Sequence, residues 1–198
     1  MPITEFLERN ARLYPNDVCL VEINPEIKED RRVTWKEYEL IEPSPKTSYR
    51  REITWSVFNE KANRFANLLL QRGIKKGDKV AILMMNGLEW LPIYFGVLKT
   101  GALAVPLNFR YSSDEIEYCV NLAEADVLVF SNPFIGRVEE IADRISKGRL
   151  LIYVGEGCPG FADDYNSLSA NCSSQSPAIP LFEDDDAAIY FSSGTTGF

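Results

Sequence analysis

Apolar and charged side chains alternate at helical spacing over residues 3 to 14, with Phe6, Leu7, Leu13 and Tyr14 on or near one face. Pro15-Asn16 ends the pattern, so the chain should open with a short surface helix. Val18 to Ile23 then reads as a strand. Two similar phrases follow, Arg31-Arg32-Val33-Thr34-Trp35 and Arg50-Arg51-Glu52-Ile53-Thr54-Trp55, and their β-branched and aromatic residues favour strands. Pro43 and Pro45 bar a central strand or a helix interior between them, which makes residues 18 to 56 a small antiparallel excursion. Phe58, Ala62, Phe65, Ala66 and Leu69 then fall at i, i+4, i+7, i+8 and i+11, one apolar stripe of a helix that Gly73 stops.

From there short apolar runs alternate with amphipathic ones. The spacing predicts strands at Val80–Met84, Ala102–Pro106, Asp126–Phe130 and Leu150–Val154. Between them it predicts helices at Leu88–Lys99, Ser113–Ala123 and Phe134–Ser146, the second with cap residues at Ser112-Ser113-Asp114 and Glu115 in its first turn. Such alternation is the mark of right-handed βαβ crossovers. The expected fold is therefore α/β, a mainly parallel sheet with helices on both faces, plus the antiparallel excursion near the N-terminus. Residues 57 to 154 form the βαβ core of a single unit spanning 1–198. Glycines, serines, asparagines and prolines mark 155 to 186 as a long connector, and 187 to 198 supply a last strand, Ala187–Phe191, and a loop at the sheet's carboxyl edge.

Composition narrows the class. With 45% hydrophobic and 25% charged residues in 198, the chain has an ordinary globular core. A net charge of −8 argues against nucleic acid as a partner, because Lys75, Lys76 and Lys79 form the only local basic cluster and Asp78 interrupts it. Cys19, Cys119, Cys158 and Cys172 include no CxxC pair, and without histidine no usual zinc set is available, so no metal ligands are assigned. Val80 to Leu98 approaches the length of a membrane span, yet Asn86-Gly87, Glu89 and Pro92 break it into a strand and a helix. No integral membrane segment and no secretion signal are read, and the expected location is cytoplasmic. The run Glu183-Asp184-Asp185-Asp186 reads as a solvated loop rather than an ion site, and the tryptophans as core packing.

The last residues carry the chemistry. Ser192-Ser193-Gly194-Thr195-Thr196-Gly197 brings four hydroxyls and two glycines together behind an apolar run. Hydroxyls and backbone N–H groups freed by glycine suit a polyphosphate, giving many donors with no Cβ to block close approach. The same residues also make an ordinary polar turn after a strand, and the run alone leaves both readings open. Two other nucleotide signatures fail. Gly96-Val97-Leu98-Lys99-Thr100-Gly101 has Walker spacing but is followed by Ala102-Leu103 instead of Lys and Ser/Thr, and no GxGxxG occurs.

The terminal hexad resembles the phosphate-binding motif of adenylate-forming (AMP-binding) enzymes, the superfamily of acyl-CoA synthetases and peptide-synthetase adenylation domains. Leu98-Lys99-Thr100-Gly101-Ala102-Leu103-Ala104-Val105-Pro106-Leu107-Asn108 is similar to the family's second core segment, and Arg110 follows as in fatty-acid and aryl-acid CoA ligases. Thr54-Trp55 with its helix, and Gly77-Asp78-Lys79-Val80-Ala81, resemble the opening segments. The similar pieces span about residues 50 to 197. Thr34 to Leu40 also resembles one opening segment, but only the second phrase leads into an unbroken amphipathic helix.

The resemblance implies an ATP-dependent acyl-CoA ligase, with Mg2+, ATP and coenzyme A as cofactors and a fatty or aryl carboxylic acid as substrate. In that reaction a carboxylate attacks the α-phosphate of Mg-ATP, pyrophosphate leaves, and the coenzyme A thiol takes the acyl group from the adenylate. Ser192, Ser193, Gly194, Thr195, Thr196 and Gly197 are the implied nucleotide-binding residues, with Ser192 where the family often has a threonine near the metal. In the family the loop continues into Pro-Lys-Gly, and the groups of the adenylation step come later still. No catalytic residue is therefore assigned, and this N-terminal subdomain alone is expected to be inactive and to self-associate through the face that would meet the rest. Two alternatives stay open: an adenylation domain of a carrier-protein assembly line, and a stand-alone α/β nucleotide-binding module.

Overall fold

A computed structural model of the chain describes residues 1–24, 49–145 and 148–192. Helix α1 (Ile3–Leu13) is followed by strand β1 (Val18–Ile23), which pairs antiparallel with β2 (Arg50–Thr54). The first Thr34-Trp35 phrase, with Pro43 and Pro45, lies outside the described residues. Of the four α1 side chains expected on one face only Leu7 is buried, while Phe6, Leu13 and Tyr14 are exposed. At 3.6 residues per turn Phe6 and Leu13 share a side turned about 100° from Leu7. The helix touches its neighbours α2 (Trp55–Gln71) and α3 (Trp90–Lys99) along a narrow stripe, so one apolar row suffices.

Helix α2 begins where the Thr54 hydroxyl caps the Val57 N–H and ends before Gly73, whose φ of 87° only glycine adopts freely. All five residues of its expected stripe, Phe58, Ala62, Phe65, Ala66 and Leu69, are buried. The apolar run from Val80 divides into β3 (Lys79–Leu83) and α3. Next come β4 (Leu103–Pro106), α4 (Ser113–Leu122), β5 (Val127–Ser131), a 3-10 turn at Asn132–Phe134, α5 (Ile135–Ile145) and β6 (Leu150–Val154). A full capping box opens α4: Glu115 N donates to Ser112 Oγ and Ser112 N donates to Glu115.

The main sheet is parallel, in the order β4-β3-β5-β6-β7, where β7 is Asp163–Asp164. Its two faces follow the strand period. Val80 and Ile82 turn toward α2, α3 and α6 (Tyr165–Ala170), whereas Ala81 and Leu83 turn toward α4 and α5. Among the described residues no helix is long and apolar enough to cross a membrane.

Two expectations need correction. Residues 155 to 186 are not a bare connector, because they contain β7 and α6. Two aspartates make a poor strand by propensity, but β7 sits at the sheet edge and Asp164 also caps α6 through Ser167 N. Helix α2 then ties the return path down: Asn63, Asn67 and Arg64 donate side-chain hydrogen bonds to the carbonyls of residues 170 and 172 to 175. The second correction concerns Ala187–Phe191, which forms one parallel bridge to β4 instead of a strand. Ala104 N donates to Ala187 O and Ile189 N donates to Ala104 O, 3.0 and 2.9 Å. In a parallel ladder the next donor on that edge belongs to residue 106, and Pro106 has no N–H to give.

Candidate phosphate-binding site

The carboxyl ends of the parallel strands meet at one edge of the molecule. The chain leaving β3 crosses to the α3 face, while the chains leaving its neighbours β4 and β5 cross to the face of α4 and α5. That divergence makes β3 the topological switch point of the sheet, the position at which open α/β sheets hold ligands. The bridge between Ala188 and Ala104 is parallel, so Phe191 and Ser192 leave the sheet at this same edge. Ser192 is exposed there; Ser193, Gly194, Thr195, Thr196 and Gly197 lie outside the described residues. An exposed hydroxyl at the carboxyl edge fits a phosphoryl ligand, whose oxygens need donors and open approach.

Side chains before Ser192 alternate as in a strand despite the single bridge. Ala188 joins the cluster on the α3 face, and Ile189 and Phe191 join the opposite cluster. Tyr190 returns to the first side, where its hydroxyl lies 3.1 Å from that of Tyr94 on α3. The Tyr94 ring is in turn stacked on Trp90, with centroids 5.3 Å apart. Burial, reinforced by the Tyr190 hydroxyl, pushes the Tyr94 phenol well above its usual range, so it stays protonated at neutral pH. None of these three aromatics was singled out as part of the site from sequence. The only available signal was the i, i+4 spacing of Trp90 and Tyr94, which core packing explains equally well.

The neighbouring exit, after β4, carries Arg110. Its N–H donates to Asn108 Oδ1 at 3.0 Å and its guanidinium sits 5.3 Å from the centroid of the Phe109 ring. Arg137 on α5 fixes this turn by donating to the carbonyls of Phe109 and Tyr111, at 2.8 and 3.0 Å. The basic and acidic runs of the sequence lie at the other end of the sheet. There Lys76 pairs with Asp185 at 2.6 Å, and Asp185 also accepts from Phe182 N, so part of the acidic run is pinned rather than solvated. The Walker-like glycines serve packing. A Cβ on Gly96 would lie 2.9 Å from Ala62 O and from Phe65 Cδ1, and Gly101 has a φ of 75° in the turn leading to β4. Among the described residues no cluster of acidic and cysteine side chains could hold a metal ion.

These features agree with comparisons to known proteins. The family model described as AMP-binding enzyme matches residues 43–198. The long-chain-fatty-acid–CoA ligase FadD13 of Mycobacterium tuberculosis is 32% identical over 154 residues, covering 77% of this chain and 29% of the relative. A crotonobetaine/carnitine–CoA ligase of Salmonella enteritidis is 36% identical over 152 residues, covering 74% and 29%. The crystal structure of the anthranilate CoA ligase AuaEII in complex with anthranoyl-AMP matches all of this chain and 34% of its own, with a TM-score of 0.79 and 25% identity. The chain thus spans 29% of the length of the two curated relatives. The match of that family model over residues 43–198, most of the chain's length, places the chain in the AMP-binding enzyme family.

Proposed function

We propose that this chain is the N-terminal part of an ATP-dependent acyl-CoA ligase and that Ser192 to Gly197 receive the outer phosphoryl groups of ATP. One observation supports the reading: the parallel bridge at Ala188 carries the chain to Ser192, the first residue of the hydroxyl-rich run, at the carboxyl edge where β3 is the switch point. ATP supplies the activating phosphoanhydride, with Mg2+ as its counter-ion. The chain supplies donors. Hydroxyls of Ser192, Ser193, Thr195 and Thr196 stabilise the charge that builds on departing pyrophosphate, and Gly194 and Gly197 leave room for its oxygens. Coenzyme A as the acceptor is supported by the relatives, which are named CoA ligases, rather than by a residue of this chain.

Groups for the adenylation step itself are not found among these residues, so the 198-residue chain is inactive by itself and binds Mg-ATP weakly. Calorimetric titration with Mg-ATP beside a Thr195→Ala/Thr196→Ala variant tests the loop's role. Weak binding by the unaltered chain that the variant loses supports it, and equal binding by both overturns it. Measurable adenylate formation from any carboxylic acid by this chain alone would contradict the assignment of catalysis elsewhere. The exposed Met85, Phe109 and Tyr190 at the carboxyl edge support self-association, which sedimentation at rising protein concentration would register.

A further inference from the structure

We infer that Tyr94 is a positioning residue for Ser192, holding Tyr190 through a hydroxyl–hydroxyl bond two residues before it; this rests on the function proposed above for Ser192. The need arises from Pro106. Ala104 exchanges hydrogen bonds with Ala187 and Ile189, but Pro106 offers no N–H to continue that ladder toward Ser192. The side chain of Tyr190 makes a substitute tie. Tyr190 is 68% exposed, so burial is not what holds its ring, and its hydroxyl reaches Tyr94 at 3.1 Å. Tyr94 is a firm post: its ring stacks on Trp90 at 12° between planes, and it packs against the core cluster that includes Ile93 and Val97 on the same helix.

The consequence is directional. Ile189 and Phe191 anchor the lead-in on one face of the sheet, and Tyr190 anchors it on the other. Removing one hydroxyl frees the second anchor and leaves the first. Ser192 then leaves the edge over a wider range of directions, and hydroxyls that must converge on one ligand lose more freedom in doing so.

The test is a double-mutant cycle of Tyr94→Phe and Tyr190→Phe, read by Mg-ATP affinity and by amide exchange at Tyr190 to Ser192. Each single variant should weaken Mg-ATP by about threefold to tenfold, as one net hydrogen bond implies, and the double variant no further. Exchange at Phe191 and Ser192 should rise in step while the urea midpoint stays within error of the parent. A purely packing role would move the midpoint and leave no coupling on nucleotide affinity. Additive losses, or affinity unchanged in both single variants, overturn the positioning role and leave the loop assignment standing. No Mg-ATP binding by the unaltered protein sinks the loop assignment and this role together.

Discussion

Lys99 Nζ lies 2.5 Å from Glu8 Oε1, and the lysine side chain is only 2% exposed. Helix α3 thereby holds α1 by a charge that has left water, and Ser176 adds a hydroxyl to the same carboxylate. Burial works to raise the Glu8 carboxyl, but the Lys99 ammonium and the Ser176 hydroxyl together outweigh it and keep it below its ordinary value. A carboxylate depressed on folding stabilises the protein above its unfolded pKa, and that contribution is lost as pH falls through the folded value. Glu8→Gln should therefore cost about 1–3 kcal/mol at neutral pH, less than for a fully buried pair because Glu8 is partly exposed. The deficit should begin to narrow as pH falls past the ordinary glutamate value of about 4.3 and close only below the lowered folded value. Urea unfolding of both proteins at neutral pH and below that folded value checks it, and a gap that persists there would refute it.

Gly96 sets how closely α2 and α3 approach. A methyl group there meets Ala62 O and the Phe65 ring at 2.9 Å, and the first of these is backbone that cannot swing away. Gly96→Ala should destabilise by about 1–3 kcal/mol although alanine is the better helix former. A thermal midpoint equal to or above the parent's would show that the helices separate freely.

Ser112 and Glu115 satisfy each other's backbone at the start of α4. Replacing the serine by alanine should cost about 1 kcal/mol, and Ser112→Asp should recover most of it, since aspartate caps equally well. Chemical denaturation of the three proteins ranks them directly.

The core was legible because its signals are local and agree with one another. The 3.6-residue stripe of Phe58 to Leu69 and the alternating runs from Val80 to Val154 can be satisfied only by helices on both faces of a parallel sheet. Cap residues were visible at Ser112-Ser113-Asp114 with Glu115 in the first turn, and the fold resolves them into a capping box of Ser112 and Glu115. Elements fixed by distant partners were not legible. Strand β7 is two aspartates with no propensity for a sheet, present because Ile152 and Tyr153 offer an edge. The brevity of the last pairing depends on Pro106, about eighty residues earlier in the chain. For the site, the hydroxyl-rich run was evident in the sequence, but the Tyr94–Tyr190 tie required the fold to bring α3 against the last segment.

Arg137 grips the turn after β4 by two carbonyls, and its guanidinium lies 5.7 Å from the centroid of the Phe134 ring. Arg137→Met keeps much of the apolar stem and removes both donors. Amide exchange at Arg110 and Tyr111 should then rise by about tenfold, with little change at Ile116 on α4. Uniform acceleration across the domain would mean that Arg137 supports global stability rather than this turn.

The central claim is that the run from Ser192 to Gly197 is a phosphate cradle at the carboxyl edge of the sheet. Following backbone amide resonances during titration with Mg-ATP tests it most directly. The account predicts shifts that begin at Ser192 to Gly197 at millimolar nucleotide, extend to the β3 and β4 exits near Asn86 and Asn108, and fade by Gly101 at the opposite end. Saturable shifts centred around Gly101 and Asp185, with the terminal run unmoved, would contradict it.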